Sequence, residues 1–198
     1  NIAVVVCTYA SSVVYKGGTV LSENQWFAKE KAKAASIITK GREHVHASSR
    51  HLDQLSMHHD CFLTDQLHKI SSDIIRYCAE HRASMIVIGV NRPWKQNTSM
   101  GKFNNQTFVT VPHAKLREMI LYKALSARIM IIEQEESYTP KADMTAGVQI
   151  PVYGQEKEYP HFSGSRISRD LHRCHNGLLV NTDCNGAANI LRKAFLDA

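Results

Sequence analysis

Short-spaced cysteine pairs are absent from this 198-residue sequence. Its five cysteines (Cys7, Cys61, Cys78, Cys174 and Cys184) stand apart, and none forms a CxxC pair. That pattern argues against both a cysteine zinc site and a disulfide framework, and it fits a reducing, cytoplasmic compartment. Long apolar runs are lacking too. None approaches the roughly 18 residues that a membrane span requires, and no signal-peptide pattern is visible, so no membrane partner is expected. Glycine and proline, at ten and five residues, are too sparse for a low-complexity chain, and no internal repeat is present. The first residue is Asn1 rather than Met, and the strand-like run IAVVVCTY follows at once. Because a domain rarely begins inside a buried strand, the sequence is expected to be a fragment whose first strand is truncated.

What is present is the composition of a folded chain, 43% apolar and 21% charged, sized for one domain with a full core. The net charge is +6, and its placement matters more than its size. Residues 91–128 hold seven basic side chains (Arg92, Lys95, Lys102, Lys115, Arg117, Lys123 and Arg128) against one acid, Glu118. The remainder of the chain is balanced. Scattered surface lysines would be a solvated face, whereas a one-sign segment in a neutral background reads as a footprint for a polyanion, most often nucleic acid.

Hydrophobic periodicity divides the chain into elements. Residues 2–9 and 13–21 are rich in Val, Thr and Tyr and read as short strands, with a Gly-Gly turn in YKGGTV. Good helix formers dominate 24–40. A second helical tract over 50–81 carries Leu63, Leu67, Ile70, Ile74 and Cys78 at three- and four-residue steps, which marks one buried face. MIVIGV (85–90) reads as a fully buried strand, and a helix from Pro112 to about Ala127 precedes a second strand, ARIMIIEQ. The polar segment 91–107 is too long for an ordinary connection and is a candidate functional loop. A loop-rich region (137–164), a basic hairpin-like stretch and a final helix over 185–196 complete the order. Strands, helices, strand, helix, strand and helix predict an α/β fold with a mixed sheet flanked by helices.

Strand ends in such a sheet bring distant residues together. One strand ends in Glu133, Glu135 and Glu136, and Asp183 follows another. Converging carboxylates repel unless they bind cations, and Mg²⁺ takes carboxylate oxygens readily. Asp183 also suits a helix N-cap, and the two roles stand side by side at this point. The histidine clusters (His44 and His46; His58 and His59; His172 and His175) lack the HExxH spacing of a zinc helix and read as surface histidines, so no zinc is expected. Trp26 reads as a core residue at a helix start. Trp94, inside the basic loop, suits base stacking as well as it suits a core.

Seven stretches, in order, carry a resemblance: NIAVVVCTY, NQWFAKEKAKAAS, IVIGVNRPWKQN, FNNQTFVTVPHAKLREMILYKA, QEESYTPKAD, FSGSRISRDLHR and the closing DCNGAANILRK. Together they resemble the TnpB/OrfB family of transposon-encoded proteins, whose RuvC-like nuclease domain is related to type V CRISPR effectors. The resemblance implies an RNase H-like fold over 1–198, with a helical insertion at about 24–81 and a loop-rich insertion at about 137–165. It implies three acidic residues holding two Mg²⁺ ions, cleavage of DNA selected by a guide RNA, and therefore DNA and RNA as partners. Asp183 matches the family's last catalytic aspartate. The first aspartate would fall just upstream of Asn1. Gly89 stands where the family's glutamate is usual, and Glu135 or Glu136 is expected to take its place, so the catalytic and metal-binding set is Asp183, Glu135 and Glu136. Arg92, Trp94, Lys95 and Lys102 are expected to bind nucleic acid. A nuclease-inactive nucleic-acid-binding derivative of the same family is the alternative reading.

Overall fold

The computed structural model describes residues 1–40, 48–90, 111–154 and 161–196. In chain order the elements are β1 (Ala3–Val5), β2 (Val13–Tyr15), α1 (Gly18–Thr39), α2 (Arg50–Glu80), β3 (Met85–Val90), α3 (His113–Ser126), β4 (Met130–Glu135), β5 (Ser165–Arg166), β6 (Leu171–Arg173), β7 (Leu179–Asn181) and α4 (Thr182–Leu196).

The longest helix follows from its sequence. The hydroxyl oxygen of Ser49 accepts the Leu52 N–H at 3.2 Å, and Asp53 places a negative charge in the first turn, where the helix dipole favours it. Leu52, Leu63, Leu67, Ser71, Ile74 and Cys78 then form the buried stripe of α2. The polar member, Ser71, is satisfied by donating to the Leu67 carbonyl at 2.7 Å. This stripe meets Leu116, Met119, Ile120 and Ala124 of α3, with Ile2, Val20 and Ile129 completing the core. Each such aliphatic side chain contributes about 1.5–3 kcal/mol on burial.

Strands β3 and β4 pair in parallel from Met85↔Met130 to Val90↔Glu135, with α3 lying between them in sequence. Helix α4 packs against β1, β3 and β4. The architecture is therefore α/β, with helices and small sheets. Among the described residues the expected single mixed sheet is divided into three: β1–β2 antiparallel, β3–β4 parallel and β5–β6–β7 antiparallel. With only one hydrogen-bonded neighbour there, β3 is half-buried along its length rather than fully buried.

Two further expectations are corrected. The strand expected to reach residue 21 stops at Tyr15, and α1 begins at Gly18, so the glycine pair enters a helix instead of turning between strands. Trp26 is 44% exposed, not a core residue, because Val20 and Asn24 supply the buried side of α1.

Candidate functional site

Asp183 is the second residue of α4, and its carboxylate is not the helix cap. The side-chain oxygen of Asn181 accepts the N–H groups of Asp183 at 2.9 Å and Cys184 at 3.3 Å. Asn181 thus performs the capping, and the Asp183 carboxylate is exposed. Its Oδ2 accepts the side-chain amide of Asn1 at 2.5 Å, which brings the start of α4 to the approach to β1.

The glutamates at the end of β4 are used differently. Glu133 is exposed and pairs with Arg117 at 3.6 Å. Glu135 is buried at 7% exposure, its Oε2 accepting from Lys193 Nζ at 2.8 Å and its Oε1 from the Ser137 N–H at 2.7 Å. Burial alone would raise the Glu135 pKa. The bonds from Lys193 and Ser137 outweigh it and hold the group below the usual glutamate value.

Glu136 is half-buried, and its N–H donates to the Val90 carbonyl at 3.3 Å, anchoring it beside the end of β3. Its Oε2 lies 2.9 Å from the position a Cβ on Gly89 would take, and Ile190 Cδ1 lies 2.5 Å from that same point. Glu136 therefore uses space that any side chain at residue 89 would fill. Partial desolvation lowers the His113 pKa. The nearby Glu136 carboxylate pulls it part of the way back up.

All of these donors are oxygens, which suits a hard divalent cation. Among the described residues no three His, Cys, Asp or Glu side chains gather closely enough to hold a metal ion. Mg²⁺ commonly takes one or two protein carboxylates and completes its shell with water and substrate phosphates, and Asp183 and Glu136 are the two expected ligands not bonded inside the core as Glu135 is.

The loop after Glu136 is held by the polar face of α4. Asn185 and Asn189, both fully buried, donate to the Ala142 carbonyl at 2.7 Å each, and Asn189 also reaches the Thr139 carbonyl at 3.0 Å. Arg192 binds the carbonyls of Asp143 and Val148. Asp143 in turn accepts from the backbone and hydroxyl of Thr145 and from the backbone N–H of His175, and its Oδ2 lies 2.9 Å from the His175 ring. Burial would raise the Asp143 pKa, but these bonds hold it well below the usual carboxylate range. Sequence patterns gave no sign of this clasp. The surface reading of the histidines fails for His172, which is 1% exposed on the inner face of β6, and for His59, which stacks on Phe27 and bonds Asn24.

Arg92, Trp94, Lys95 and Lys102 lie outside the described residues. Of the remaining basic residues in that segment, Lys115 donates to Thr64, Arg117 faces Glu133, and Lys123 donates to Ser71, Ser72 and the His68 carbonyl. Of those three, Arg117 alone faces an acid; Lys115 and Lys123 keep their charge while bonding neutral oxygens. No described helix is long and apolar enough to cross a membrane.

Comparison with known proteins bears on the fold. Residues 1–94 match the OrfB_IS605 family model, described as a probable transposase, and residues 113–190 match the TNB domain of the Cas12f1-like family. The Cas12f1 chain of a Cas12f1–sgRNA–target DNA complex superposes with a TM-score of 0.61 at 12% identity, over 92% of this chain and 44% of that one. Alicyclobacillus acidoterrestris C2c1, in complex with single-guide RNA, superposes with a TM-score of 0.58 at 16% identity, over 98% of this chain and 21% of that one. At these identities the likeness is one of fold, and the chain spans less than half the length of either. No curated protein matches the sequence. The class is thus that of transposase-related and type V effector folds. Within it, the first part of this chain is similar to the OrfB_IS605 transposase family and its later part to the Cas12f1-like TNB domain.

Proposed function

We propose that this chain is the RuvC-like, RNase H-like nuclease portion of an RNA-guided DNA endonuclease of the TnpB/OrfB type. The observation that carries the reading is that Asp183 is exposed and Glu136 only half-buried, whereas Glu135 is buried and bonded inside the protein. Asp183 heads α4 with its capping work done by Asn181, and Glu136 occupies the space left by Gly89. In this reading Glu136, not Glu135, replaces the glutamate missing at residue 89, because both Glu135 oxygens are already bonded inside the protein.

Asp183 and Glu136 would hold a divalent cation, with Asn1 orienting the Asp183 carboxylate through its amide. When bound, Mg²⁺ would supply an activated water and charge stabilisation for a phosphodiester's leaving oxygen. Arg92, Lys95 and Lys102 would bring phosphates to the acidic pair, and Trp94 would stack on a base. DNA and a guide RNA are the partners of the Cas12f1 structure that this fold resembles, and base pairing would supply the sequence reading here as well. The helical pair α1–α2 and the loop-rich region are, in this account, insertions into the nuclease fold.

The test is a linkage measurement. Mn²⁺ is titrated into the chain with and without single-stranded DNA, and the same is done for Asp183→Ala and Glu136→Ala. Phosphates that complete the ion's shell make Mn²⁺ bind more tightly when DNA is present, and both substitutions remove that gain. Equal Mn²⁺ affinity with and without DNA in the parent chain overturns the reading.

A further inference from the structure

The Glu135–Lys193 pair is unusual in its setting. Lys193 lies near the end of α4, and its side chain is 2% exposed against 7% for Glu135. Burying two charges costs desolvation, and well-packed apolar residues of similar volume often serve stability as well or better. Core filling is therefore a poor account of why both charges are there. Their connections are more informative.

Lys193 Nζ donates to Glu135 Oε2 at 2.8 Å, to the Pro151 carbonyl at 2.9 Å and to the Ser137 carbonyl at 3.3 Å. It thus grips the chain on both sides of Glu136 at once. The same helix carries Asp183 ten residues earlier. A helix is a rigid ruler of about 1.5 Å per residue, so a contact near one end and a carboxylate at the other are held at a fixed separation. Glu136 directly follows the last residue of β4, and Lys193 bonds the residues on either side of it. Fixing residues 135 and 137 therefore fixes where the Glu136 side chain leaves the backbone, beside Gly89.

We propose that Lys193 is a positioning residue for the acidic pair, setting through Glu135 how Glu136 stands relative to Asp183. The proposal rests on the metal-binding reading of Asp183 and Glu136, and deepens it by naming what holds the two carboxylates in register. Groups that orient metal ligands from behind typically change metal affinity about 10–100-fold when removed.

The experiment uses the 198-residue chain and Mn²⁺ affinity, read by loss of the free-ion electron paramagnetic resonance signal, alongside thermal melting. Lys193→Met alone strands the Glu135 carboxylate in the interior and is expected to melt early. The double variant Lys193→Met with Glu135→Leu removes both charges at similar volume and is expected to fold with a melting temperature close to the parent's. Its Mn²⁺ affinity is expected to fall about 10-fold or more. A double variant that folds and keeps the parent's affinity overturns the positioning role, since a purely structural pair would leave metal binding untouched. Asp183→Ala and Glu136→Ala separate the two ideas. If both lose Mn²⁺ binding while the double variant keeps it, only the positioning role fails. If neither changes Mn²⁺ binding, the metal-site reading fails, and the positioning role with it.

Discussion

Glu136 stands in the room that Gly89 leaves open: its Oε2 is 2.9 Å from where a Cβ at residue 89 would sit, with Ile190 closing the other side at 2.5 Å. A methyl group at residue 89 must push both aside. Both contacts are the ends of side chains, so the strain is partly relieved by rotation. Gly89→Ala is expected to cost about 1–3 kcal/mol in urea unfolding, in the range of overpacked sites, and to displace the Glu136 carboxylate. An unchanged unfolding midpoint would show that the space is not shared.

The Asp143 clasp predicts an acid limit to stability. A carboxylate whose folded pKa is depressed contributes stability that is fully present above its unfolded value, about 3.9, and is lost as pH falls toward the folded value. Glu135, also depressed, acts with the same sign in the same window. Melting temperature is therefore expected to fall below about pH 4, and Asp143→Asn should be less stable at neutral pH with a shallower fall in acid. A variant that tracks the parent at every pH would contradict the role given to the clasp.

Asn181 caps α4 through its side-chain oxygen. Asn181→Ala is expected to cost about 1 kcal/mol, and Asn181→Ser to restore most of it, measured by chemical unfolding. Were the Asp183 carboxylate the real cap, Asn181→Ala would be silent and Asp183→Ala would carry the loss.

Neutralising Arg92, Lys95 and Lys102 together is expected to weaken binding to single-stranded DNA or RNA and to flatten its dependence on salt, because fewer counterions are released. Filter binding across a salt series reads both quantities. Affinity and slope equal to the parent's would remove this loop from the interface.

Much of this could be read from sequence where the signal was periodic. The stripe of α2 at Leu63, Leu67, Ile74 and Cys78 and the strand at 130–135 are as expected, because burial imposes its spacing directly on the residues. The start of α1 was not legible, since Gly18 is a poor helix former and β-rich residues precede it; packing of Val20 into the core decides the boundary. The acidic residues at the end of β4 were visible in the sequence, but not which of them is bonded inside the protein. Which of Glu135 and Glu136 turns inward depends on Lys193, 58 positions after Glu135, and no local pattern records that bond. Asn181 was legible in principle as a favoured capping residue just before a helix, but Asp183 beside it carried the same signal.

The central claim is that Asp183 and Glu136 share a divalent cation. The most direct measurement is the anomalous scattering of Mn²⁺ in crystals of this chain grown or soaked with the ion. The account predicts a peak at about 2.0–2.2 Å from oxygens of both Asp183 and Glu136, with Glu135 still bonded to Lys193. A peak ligated by Glu135, or Mn²⁺ bound only at residues other than Asp183 and Glu136, would contradict it.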